Sequence, residues 1–429
     1  MGLVGILLSL ALLMYLAYRG LSIYVIAPIC ALVAAAFSGQ ALLPVYVETY
    51  MKGAAGFVQS MFPVFLLGTI MGKLYEDSGG AKAIASAIIR RFGSSSRLPA
   101  ITAVILAGGI LGYGGVNVMV ATFALFPLTL AIFQETGIPR RFVPGVMIAG
   151  LATFAMVGPG TPQVQNILPS TILKTPPTAG LIPGIVGCIV FFVIALIYLN
   201  VTISKAIAAG ETFVPHPQDK IIPDQDLPNA GIALLPLVAV FCLLNIAKMH
   251  IVPSVAIGIV LGFVLMRKHI KDIQATINAG ALGSAPAVIN TAAAVGFGAV
   301  IGTLPGFKAA VSIVTKIGGH PLMAAGIAVT LIAGITGSAS GGLGIALPIL
   351  APIFVGQMGV NPRAMHRVAS FWSSGLDTLP HNGAVITMLN YTRCNHKESY
   401  TPIFWITVVC TLVASLVVTL ILMAFPGLA

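Results

Sequence analysis

The chain has 429 residues, of which 58% are hydrophobic and 8% are charged. Apolar runs of about 17–25 residues recur along it, and each is long enough to cross a bilayer core of about 30 Å, so a soluble globular protein is excluded. The formal net charge of +11 comes from lysines and arginines that cluster in short loops. Cytoplasmic loops of membrane proteins are enriched in these residues, which accounts for the charge, so we expect no nucleic-acid partner. The five cysteines have no metal-ligand spacing and predict neither a metal site nor a disulfide framework.

The first part of the sequence predicts three spans and one interfacial helix. Spans at about 3–18 and 21–38 are joined by a tight turn containing Arg19, which we place in the cytoplasm, so the N-terminus is expected outside. The first run lacks a basic leader and a small-residue cleavage site, so we expect a retained helix and not a signal peptide. A third span at about 56–74 returns to the cytoplasm, and residues 81–92 fit a helix lying at the inner interface.

Residues 99–133 form one apolar block with basic residues on both sides, at Arg97 and Arg140. If both flanks are cytoplasmic, the block enters and leaves the membrane on the same side. The Gly-rich break GYGGVNV at 112–118 is then the tip of a re-entrant hairpin. Non-helical backbone at that depth is tolerated only where it is buried in protein or lines a wet cavity. Two short, complete spans with a tight outer turn are the alternative.

The next crossing, at about 142–173, is interrupted by GPGTPQ at 158–163. Two prolines and two glycines in six residues cannot form a regular helix. A span at about 180–203 then returns to the cytoplasm, and the polar residues 204–228 predict a cytoplasmic linker.

The second half of the sequence repeats this plan upside down. Its predicted elements are spans at about 229–246, 251–266 and 284–303, an outer interfacial helix at 305–318, a hairpin at 321–357 broken at 336–344, a crossing at 364–392 broken at 376–383, and a last span at 401–424. Pro139-Arg140 falls on Pro362-Arg363 at an offset of about 223 residues. We therefore predict an all-α integral membrane protein built from two inverted repeats, 1–203 and 229–429, each with a re-entrant helical hairpin and a broken transmembrane helix. The C-terminus is expected outside.

Inverted repeats with broken helices are typical of secondary transporters, whose site lies near the bilayer midplane. The second arm of each hairpin begins a helix at its tip, so its free N–H groups and positive dipole end face the cavity and can bind a carboxylate. No Lys or Arg falls within the four breaks, so backbone groups and hydroxyls are expected to hold an anion. The predicted substrate-binding residues are Gly115, Asn117, Gly160, Thr161, Gln163, Ser338, Ser340, Thr378, His381 and Asn382.

Asp377 is the one carboxylate within these breaks, and His381 follows it across Pro380. Ionisable groups inside membrane spans are costly, about 2.5–3.5 kcal/mol at the helix centre on insertion scales, and they mark functional sites. We therefore expect Asp377, together with His381, to carry the coupling protons. Structural roles stay open: Asp377 could cap the following half-helix or pair with His381, and Thr161, Gln163 and Gln165 could satisfy freed backbone groups.

Three basic residues stand at the start of the second broken crossing. Arg363 and Arg367 are expected to reach water at the outer interface, with attraction of anions into an outer vestibule as the less favoured alternative. His366 is expected to be solvated at the span end.

Five stretches carry a family resemblance. They are LLGTIMGKLYEDSGGAKAIASAIIRRFG (66–93), LAGGILGYGGVNVMVATFALFPLTLAIF (106–133), VGPGTPQ (157–163), GITGSASGGLGIALPIL (334–350) and LDTLPHNGAV (376–385). Together they resemble the gluconate:proton symporter (GntP) family of the ion-transporter superfamily. The resemblance implies an elevator-type carrier in the bacterial inner membrane, a homodimer with a central scaffold and moving transport domains. It further implies import of an organic acid with protons, and we expect no cofactor.

The sequence departs from the gluconate members of that family at two places. Those members carry a Glu at the first tip and a His-rich first broken helix, whereas this chain has GYGGVNV (112–118) and VGPGTPQ (157–163). A polyhydroxylated acid needs many hydrogen-bond partners, because unpaired buried polar groups are costly. This leaner site predicts a short hydroxy- or keto-acid such as 3-hydroxybutyrate, acetoacetate or lactate, within the wider class of gluconate-like acids.

Three other functions stay open on the sequence. Sodium could replace the proton as coupling ion, held by Asn117, Thr161, Ser338 and Thr378. An intramembrane enzyme could use Asp377 and His381, but the sequence has no H-E-x-x-H helix and no G-x-S-x-G elbow. A channel would need a continuous polar stripe, whereas the polar residues of this chain concentrate at four breaks.

Overall fold

Helices form the regular structure of the chain. The computed structural model describes residues 2–19, 21–80, 83–84, 87, 97–115, 118–216, 227–307, 319–380 and 382–429, and these residues contain no strand. The helices of the first half are α1 (Gly2–Tyr18), α2 (Ile23–Phe37), α3 (Leu42–Pro44, a π-helical segment Val45–Tyr50 and Met51–Asp77, without a gap), α4 (Arg97–Tyr113), α5 (Val118–Thr136), α6 (Val143–Leu151), α7 (Phe154–Val157), α8 (Val164–Leu173) and α9 (Leu181–Ala208). A 3₁₀ turn, Arg140–Phe142, precedes α6.

The second half continues the helical numbering. Its helices are α10 (Ala230–Asn245), α11 (Ile251–Leu265), α12 (Ile273–Thr303), α13 (Pro321–Thr336), α14 (Ala339–Ala351, continued by the π-helical segment Pro352–Gln357), α15 (Pro362–Ser373), α16 (Gly383–Thr392) and α17 (His396–Phe404, a π-helical segment Trp405–Cys410 and Thr411–Ala424).

The helices pack into two bundles. The α3/α12 bundle contains α1–α3 and α10–α12, and the hairpin bundle contains α4–α9 and α13–α17. At the centre of the α3/α12 bundle, a Cβ added at Gly53 would lie 2.5 Å from Ala299 Cβ, and one at Gly280 would lie 2.6 Å from Ile70 Cα. Small residues allow this close approach of helix backbones. The main contacts between the two bundles join α12 to α14, α3 to α5 and α4 to α10.

Corresponding helices of the two halves make corresponding contacts. In the hairpin bundle, α4 packs on α5 and α6, and α13 packs on α14 and α15. Across the halves, α8 packs on α14, and α16 packs on α5. The helix that follows a break in one half therefore always packs on the helix that follows a hairpin tip in the other half.

The helix interruptions lie where the sequence predicted them, with differences in extent. The described helices stop at Tyr113 and Val157, and they resume at Val118 and Val164. The break predicted at 336–344 is only two residues long, because Ser338 caps a helix that begins at Ala339. The first broken crossing has an additional interruption between α6 and α7, and the second is non-helical at 374–380 and at 382.

Several helices are longer than predicted. The span predicted at 56–74 is part of α3, which begins at Leu42, and the span predicted at 284–303 is part of α12, which begins at Ile273. Polar residues such as Glu48 and Lys52 continue the helix because their side chains are exposed and their backbone groups still pair within it. A prediction based on runs of apolar residues therefore underestimates the length of these helices, because it stops at the first polar residues. Residues 81–92, 217–226 and 308–318, which carry the predicted interfacial helices and most of the linker, lie wholly or mostly outside the described residues.

The apolar surface confirms a multi-pass membrane protein. Five helical stretches of the described chain are long and apolar enough to cross a membrane: Leu42–Tyr75, Arg140–Val157, Leu181–Ala208, Ala339–Gln357 and His396–Ala424. The helix α9 exposes an apolar stripe in which Ile189 and Ile197 are 56% and 59% exposed. An exposed stripe of large apolar side chains along a helix is favourable where the stripe faces lipid and unfavourable where it faces water.

Candidate functional site

The first hairpin tip is seated against the first break. Gln163, the last residue of the break, donates from Nε2 to the carbonyl oxygen of Gly112 at 2.7 Å. Gly158, the first residue of the break, faces Tyr113 so closely that an added Cβ would lie 1.9 Å from the Tyr113 Oη. One polar and one steric contact thus hold the tip and the break together.

Gly115 turns the chain at this tip. Its φ of +86° is a left-handed conformation that favours glycine. A Cβ at Gly115 would lie 3.1 Å from Pro162 Cγ, so this predicted site residue also touches the first break. Asn117, predicted to bind substrate just beyond it, lies outside the described residues.

Gly160 and Thr161 close the first break with their own hydrogen bonds. The Gly160 N–H donates to the carbonyl of Pro177 at 3.0 Å, and Gly160 has a φ of +82°. The hydroxyl of Thr161, which is fully buried, donates to the carbonyl of Ala155 at 2.7 Å. Thr161 therefore satisfies a backbone group that the end of α7 leaves unpaired.

The second tip and the second break are joined by Asn382. Its Nδ2 donates to the carbonyl of Gly337 at 2.8 Å and to the carbonyl of Asp377 at 2.9 Å. Its Oδ1 accepts from the Val385 N–H at 2.8 Å, so Asn382 and not Asp377 caps the start of α16. In both halves, an amide side chain that directly precedes a helix reaches a carbonyl of the neighbouring hairpin.

Ser338 and Ser340 begin the second arm of the second hairpin. Ser338 is the N-cap of α14, and its Oγ accepts from the Gly341 N–H at 3.2 Å. The two serine hydroxyls are 3.3 Å apart, and Ser340 is 8% exposed. These hydroxyls lie at the positive end of the α14 dipole, as predicted for an anion site.

Asp377 is buried beside this tip. It is 4% exposed, and its Oδ1 has no hydrogen-bond partner among the described residues. The carboxylate faces the backbone N–H of Ala339, the first residue of α14. A helix N-terminus favours negative charge, while an unpaired buried oxygen is costly, so the two effects on this carboxylate oppose each other. His381 lies outside the described residues.

Thr378 faces the last helix. Its Oγ1 lies 2.5 Å from the Thr407 Oγ1, and its carbonyl accepts from the Tyr400 Oη at 3.2 Å. Two residues later, the carbonyl oxygen of Pro380 lies 3.0 Å from the His396 Nε2. The described structure therefore ties Thr378 to α17, whereas it ties Asn382 to the tip.

The two tip–break pairs lie near each other because the helices that begin at them pack together. A Cβ at Gly344 in α14 would lie 3.9 Å from Leu168 Cδ2 in α8. With a rise of about 1.5 Å per residue, both contact points are within about 8 Å of their helix N-termini. On the other side, the rings of Phe126 in α5 and Tyr391 in α16 are 5.3 Å apart, at points about 12 Å along each helix from its N-terminus. The N-termini of α8 and α14 therefore lie near one contact between the two halves, an arrangement that favours a bound anion.

A buried arginine also reaches the first break. Arg367 in α15 is 0% exposed, and its Nη1 donates to the carbonyl of Val157 at 2.6 Å. Its other donors reach the carbonyls of Ala179 and Pro177 at 2.8 and 3.1 Å. The interpretation of Arg367 as a side chain that reaches water at the outer interface is wrong. The sequence holds no local signal for it, since the carbonyls that bind Arg367 are about 190–210 residues away in the chain.

His366 belongs to the same network and is also fully buried, so its predicted solvation is wrong. Its Nδ1 lies 2.6 Å from the Thr175 Oγ1, and its Nε2 lies 3.0 Å from the Asn166 Oδ1. Asn166 Oδ1 also accepts from Arg367 Nη1 at 3.2 Å. Because this oxygen is an acceptor, the His366 Nε2 carries a proton. Asn166 is thus a positioning residue that the sequence analysis missed, and it couples the first break to the second half.

The chain is similar to known membrane permeases. The family model for GntP family permeases matches residues 1–263. The uncharacterized transporter YxjC of Bacillus subtilis is 37% identical over an alignment of 459 positions, gaps included, that covers 96% of this chain and 97% of that protein. A gluconate permease of Bacillus licheniformis is 30% identical over 129 residues, which cover 29% and 28% of the two chains.

A solved structure is similar in fold. The YdaH transporter of Alcanivorax borkumensis, reported to have an unusual topology, aligns with a TM-score of 0.58 over 90% of this chain and 89% of that chain. The two sequences are 18% identical in this alignment, so the similarity concerns the fold alone.

Proposed function

We propose that this chain, which belongs to the GntP permease family, imports a small organic acid anion by proton symport. The protein is a membrane transporter and not an enzyme. The observation that supports an anion as cargo is the pairing of each hairpin tip with a helix break, through Gln163 in one half and Asn382 in the other. Helix N-termini begin at all four positions and supply positive dipole ends without a charged ligand in the breaks.

The predicted cargo is a short hydroxy- or keto-acid such as 3-hydroxybutyrate, acetoacetate or lactate. Thr161 and Asn382 already bond to backbone carbonyls, so few side chains serve a polyhydroxylated acid. Gln165, in the first turn of α8, has a buried Oε1 without a partner among the described residues. This acceptor matches one substrate hydroxyl, and a single hydroxyl is what 3-hydroxybutyrate or lactate carries.

Asp377 is proposed as the proton carrier, with His381 as its predicted partner. A carboxylate whose Oδ1 is buried and unpaired is unstable when charged, and protonation removes the charge and adds a donor. Binding of a substrate anion nearby favours the protonated form because like charges repel. Proton and anion are then taken up together.

Sodium coupling is the second candidate, because unpaired oxygens gather at the second break. The Oγ1 of Thr330, the Oγ of Ser374 and the Oδ1 of Asp377 are buried without partners among the described residues. A Cβ at Gly375 would lie 2.3 Å from Thr330 Oγ1, so Thr330 abuts this break. Hydroxyl and carboxylate oxygens suit a hard cation.

An elevator mechanism fits the division into two bundles. All four breaks lie in the hairpin bundle, whose main contacts with the α3/α12 bundle involve only three pairs of helices. We propose that the hairpin bundle moves as the transport unit of a homodimer in the bacterial inner membrane, with both termini outside. The matching contacts of the two halves support inverted repeats at 1–203 and 229–429, separated by the linker 204–228.

Uptake into proteoliposomes tests the proposal. Labelled 3-hydroxybutyrate, lactate and gluconate are offered under an imposed pH gradient or an imposed sodium gradient, each with a protonophore control. We expect accumulation of the short acids that depends on the pH gradient. Accumulation driven only by sodium would favour the second candidate. Strong gluconate uptake without competition by 3-hydroxybutyrate would overturn the substrate prediction.

A further inference from the structure

An open cavity lies above the buried Arg367 network, apart from the tips and breaks. Its volume is about 450 Å³, and it is lined by the end of α8, the start of α15 and residues near the end of α17. Lys174 and Thr175 contribute from the first half, and Asn361 and Arg363 from the second. The two halves of the sequence therefore build this cavity together.

The two charged side chains that line the cavity are both cationic. Lys174 and Arg363 are both exposed, and neither forms an ion pair with any carboxylate of the described chain. No Asp or Glu side chain lines the cavity, and the acidic group in its lining is the backbone carboxylate of Ala429, the last residue of the sequence. The α15 helix begins at its wall, where Asn361 Oδ1 accepts from the Arg363 N–H at 2.8 Å. Two cationic side chains and a helix N-terminus thus face one open volume.

The floor of the cavity is connected to the first break. Thr175 lines the cavity, and its Oγ1 bonds the buried His366. His366 meets Asn166, which meets Arg367, and Arg367 holds the carbonyl that precedes the break. An anion in the cavity therefore lies directly outside the network that holds the proposed site.

We propose that this cavity is a capture site for carboxylate anions, in which Lys174 and Arg363 hold the acid before it passes to the hairpin tips. The class of ligand rests on the proposed function. A guanidinium binds a carboxylate through two parallel hydrogen bonds, and the lysine adds a second charge. Because both side chains are exposed to solvent, they bind the acid weakly. Their main effect is to raise its local concentration and its association rate.

Uptake kinetics of the double variant Lys174→Gln/Arg363→Gln test this proposal. At low ionic strength, where charges act over about 30 Å, we expect its KM for 3-hydroxybutyrate to rise about 3- to 10-fold with kcat within about twofold. The KM difference should shrink in about 1 M salt, where the screening length is about 3 Å. Lys248→Gln removes an exposed charge elsewhere and should behave as the unaltered protein, whereas Arg363→Lys keeps the charge but loses the paired hydrogen bonds and should show a smaller rise in KM than the double variant. A KM that is unchanged at low salt would overturn the proposal.

A chemical readout separates this proposal from the proposed function. Lys174→Cys is introduced into a variant whose five native cysteines are replaced by alanine, and an anionic sulfonatoethyl methanethiosulfonate reagent labels it. We expect labelling to slow several-fold when Arg363→Gln is added and when 3-hydroxybutyrate is present. Equal labelling rates in all cases would overturn the capture site. If the rates differ while no acid is taken up under any gradient, the cavity binds anions and the proposed function fails instead.

Discussion

The Nη1 atom of Arg367 lies 2.6 Å from the carbonyl oxygen of Val157, the last helical residue before the first break. Arg367 belongs to the second half of the sequence and Val157 to the first. A guanidinium in a lipid-embedded interior is tolerated only when its donors are paired, and here carbonyls and one amide oxygen accept them. This contact therefore joins the two halves at the proposed site.

Loss of the Arg367 guanidinium should lower both the stability of the protein and its rate of uptake. Arg367→Lys keeps the charge but cannot reach several carbonyls at once, and each acceptor left unpaired costs about 1–3 kcal/mol. We expect a lower thermal midpoint in a fluorescence-detected size-exclusion assay and an uptake rate at least about 10-fold lower. Arg363→Lys, at an exposed position on the same helix, is the matched control for stability and should leave the thermal midpoint unchanged. A fully active, equally stable Arg367→Lys protein would contradict the assigned role.

Gly158→Ala should block the seating of the first hairpin tip. The added Cβ would lie 1.9 Å from Tyr113 Oη and 2.7 Å from Tyr113 Cζ, so the ring must move. We expect uptake to fall about 10-fold or more, because small displacements of a binding constellation have effects of this size. Removal of the hydroxyl in Gly158→Ala/Tyr113→Phe takes away the closest clash and should restore part of the activity. If the double variant is no more active than the single one, this contact is not the cause.

Asp377→Asn should separate substrate binding from proton coupling. The amide has the same shape but cannot carry a proton between the two sides of the membrane, so accumulation driven by a pH gradient is lost. Exchange of labelled for unlabelled acid, which needs no net proton movement, should persist. Glu135→Gln, an exposed acid at the end of α5, is the matched control and should accumulate substrate normally. Accumulation by Asp377→Asn under a pH gradient would disprove its role.

Gln165→Leu should reduce discrimination for a substrate hydroxyl. The buried Oε1 of Gln165 is without a partner among the described residues, and it is proposed to accept from the hydroxyl of 3-hydroxybutyrate. A site built to bond a hydroxyl rejects the analogue that lacks it, since its polar atom is then left unpaired. We expect the preference for 3-hydroxybutyrate over butyrate, measured as the ratio of KM values, to fall about 5-fold or more. An unchanged ratio would show that the substrate hydroxyl does not bind Gln165.

The ion pair between Arg141 and Glu211 should give a small pH-dependent stabilisation. Two hydrogen bonds of 2.7 and 2.8 Å join these side chains, and Arg141 lowers the pKa of Glu211 below its ordinary value of 4.5. Because the folded-state pKa is the lower one, the stabilisation is present above 4.5 and is lost as the pH falls through the lowered pKa. The pair is partly exposed, so we expect about 0.2–1 kcal/mol. Thermal midpoints of the unaltered protein and Glu211→Gln should differ at pH 7 and converge in acid; a constant difference would contradict this.

The sequence by itself determined the membrane class, most of the spans and the approximate positions of the four predicted breaks. These features are local: apolar runs set the spans, and Gly114-Gly115, Pro159 and Pro162, and Pro380 prevent regular helix at the breaks. The isolation of Asp377 in the second break could also be read directly, because one carboxylate in a long apolar region is conspicuous in any window.

Only the tertiary structure decided what the breaks contact and which basic residues are buried. Arg363 and Arg367 are one helical turn apart and look alike in sequence, yet Arg363 is exposed at an open cavity while Arg367 is fully buried. The difference arises because the carbonyls of residues 157, 177 and 179 come to one side of α15 through packing of the two halves. Such pairing depends on contacts about 190–210 residues apart, which no local pattern encodes.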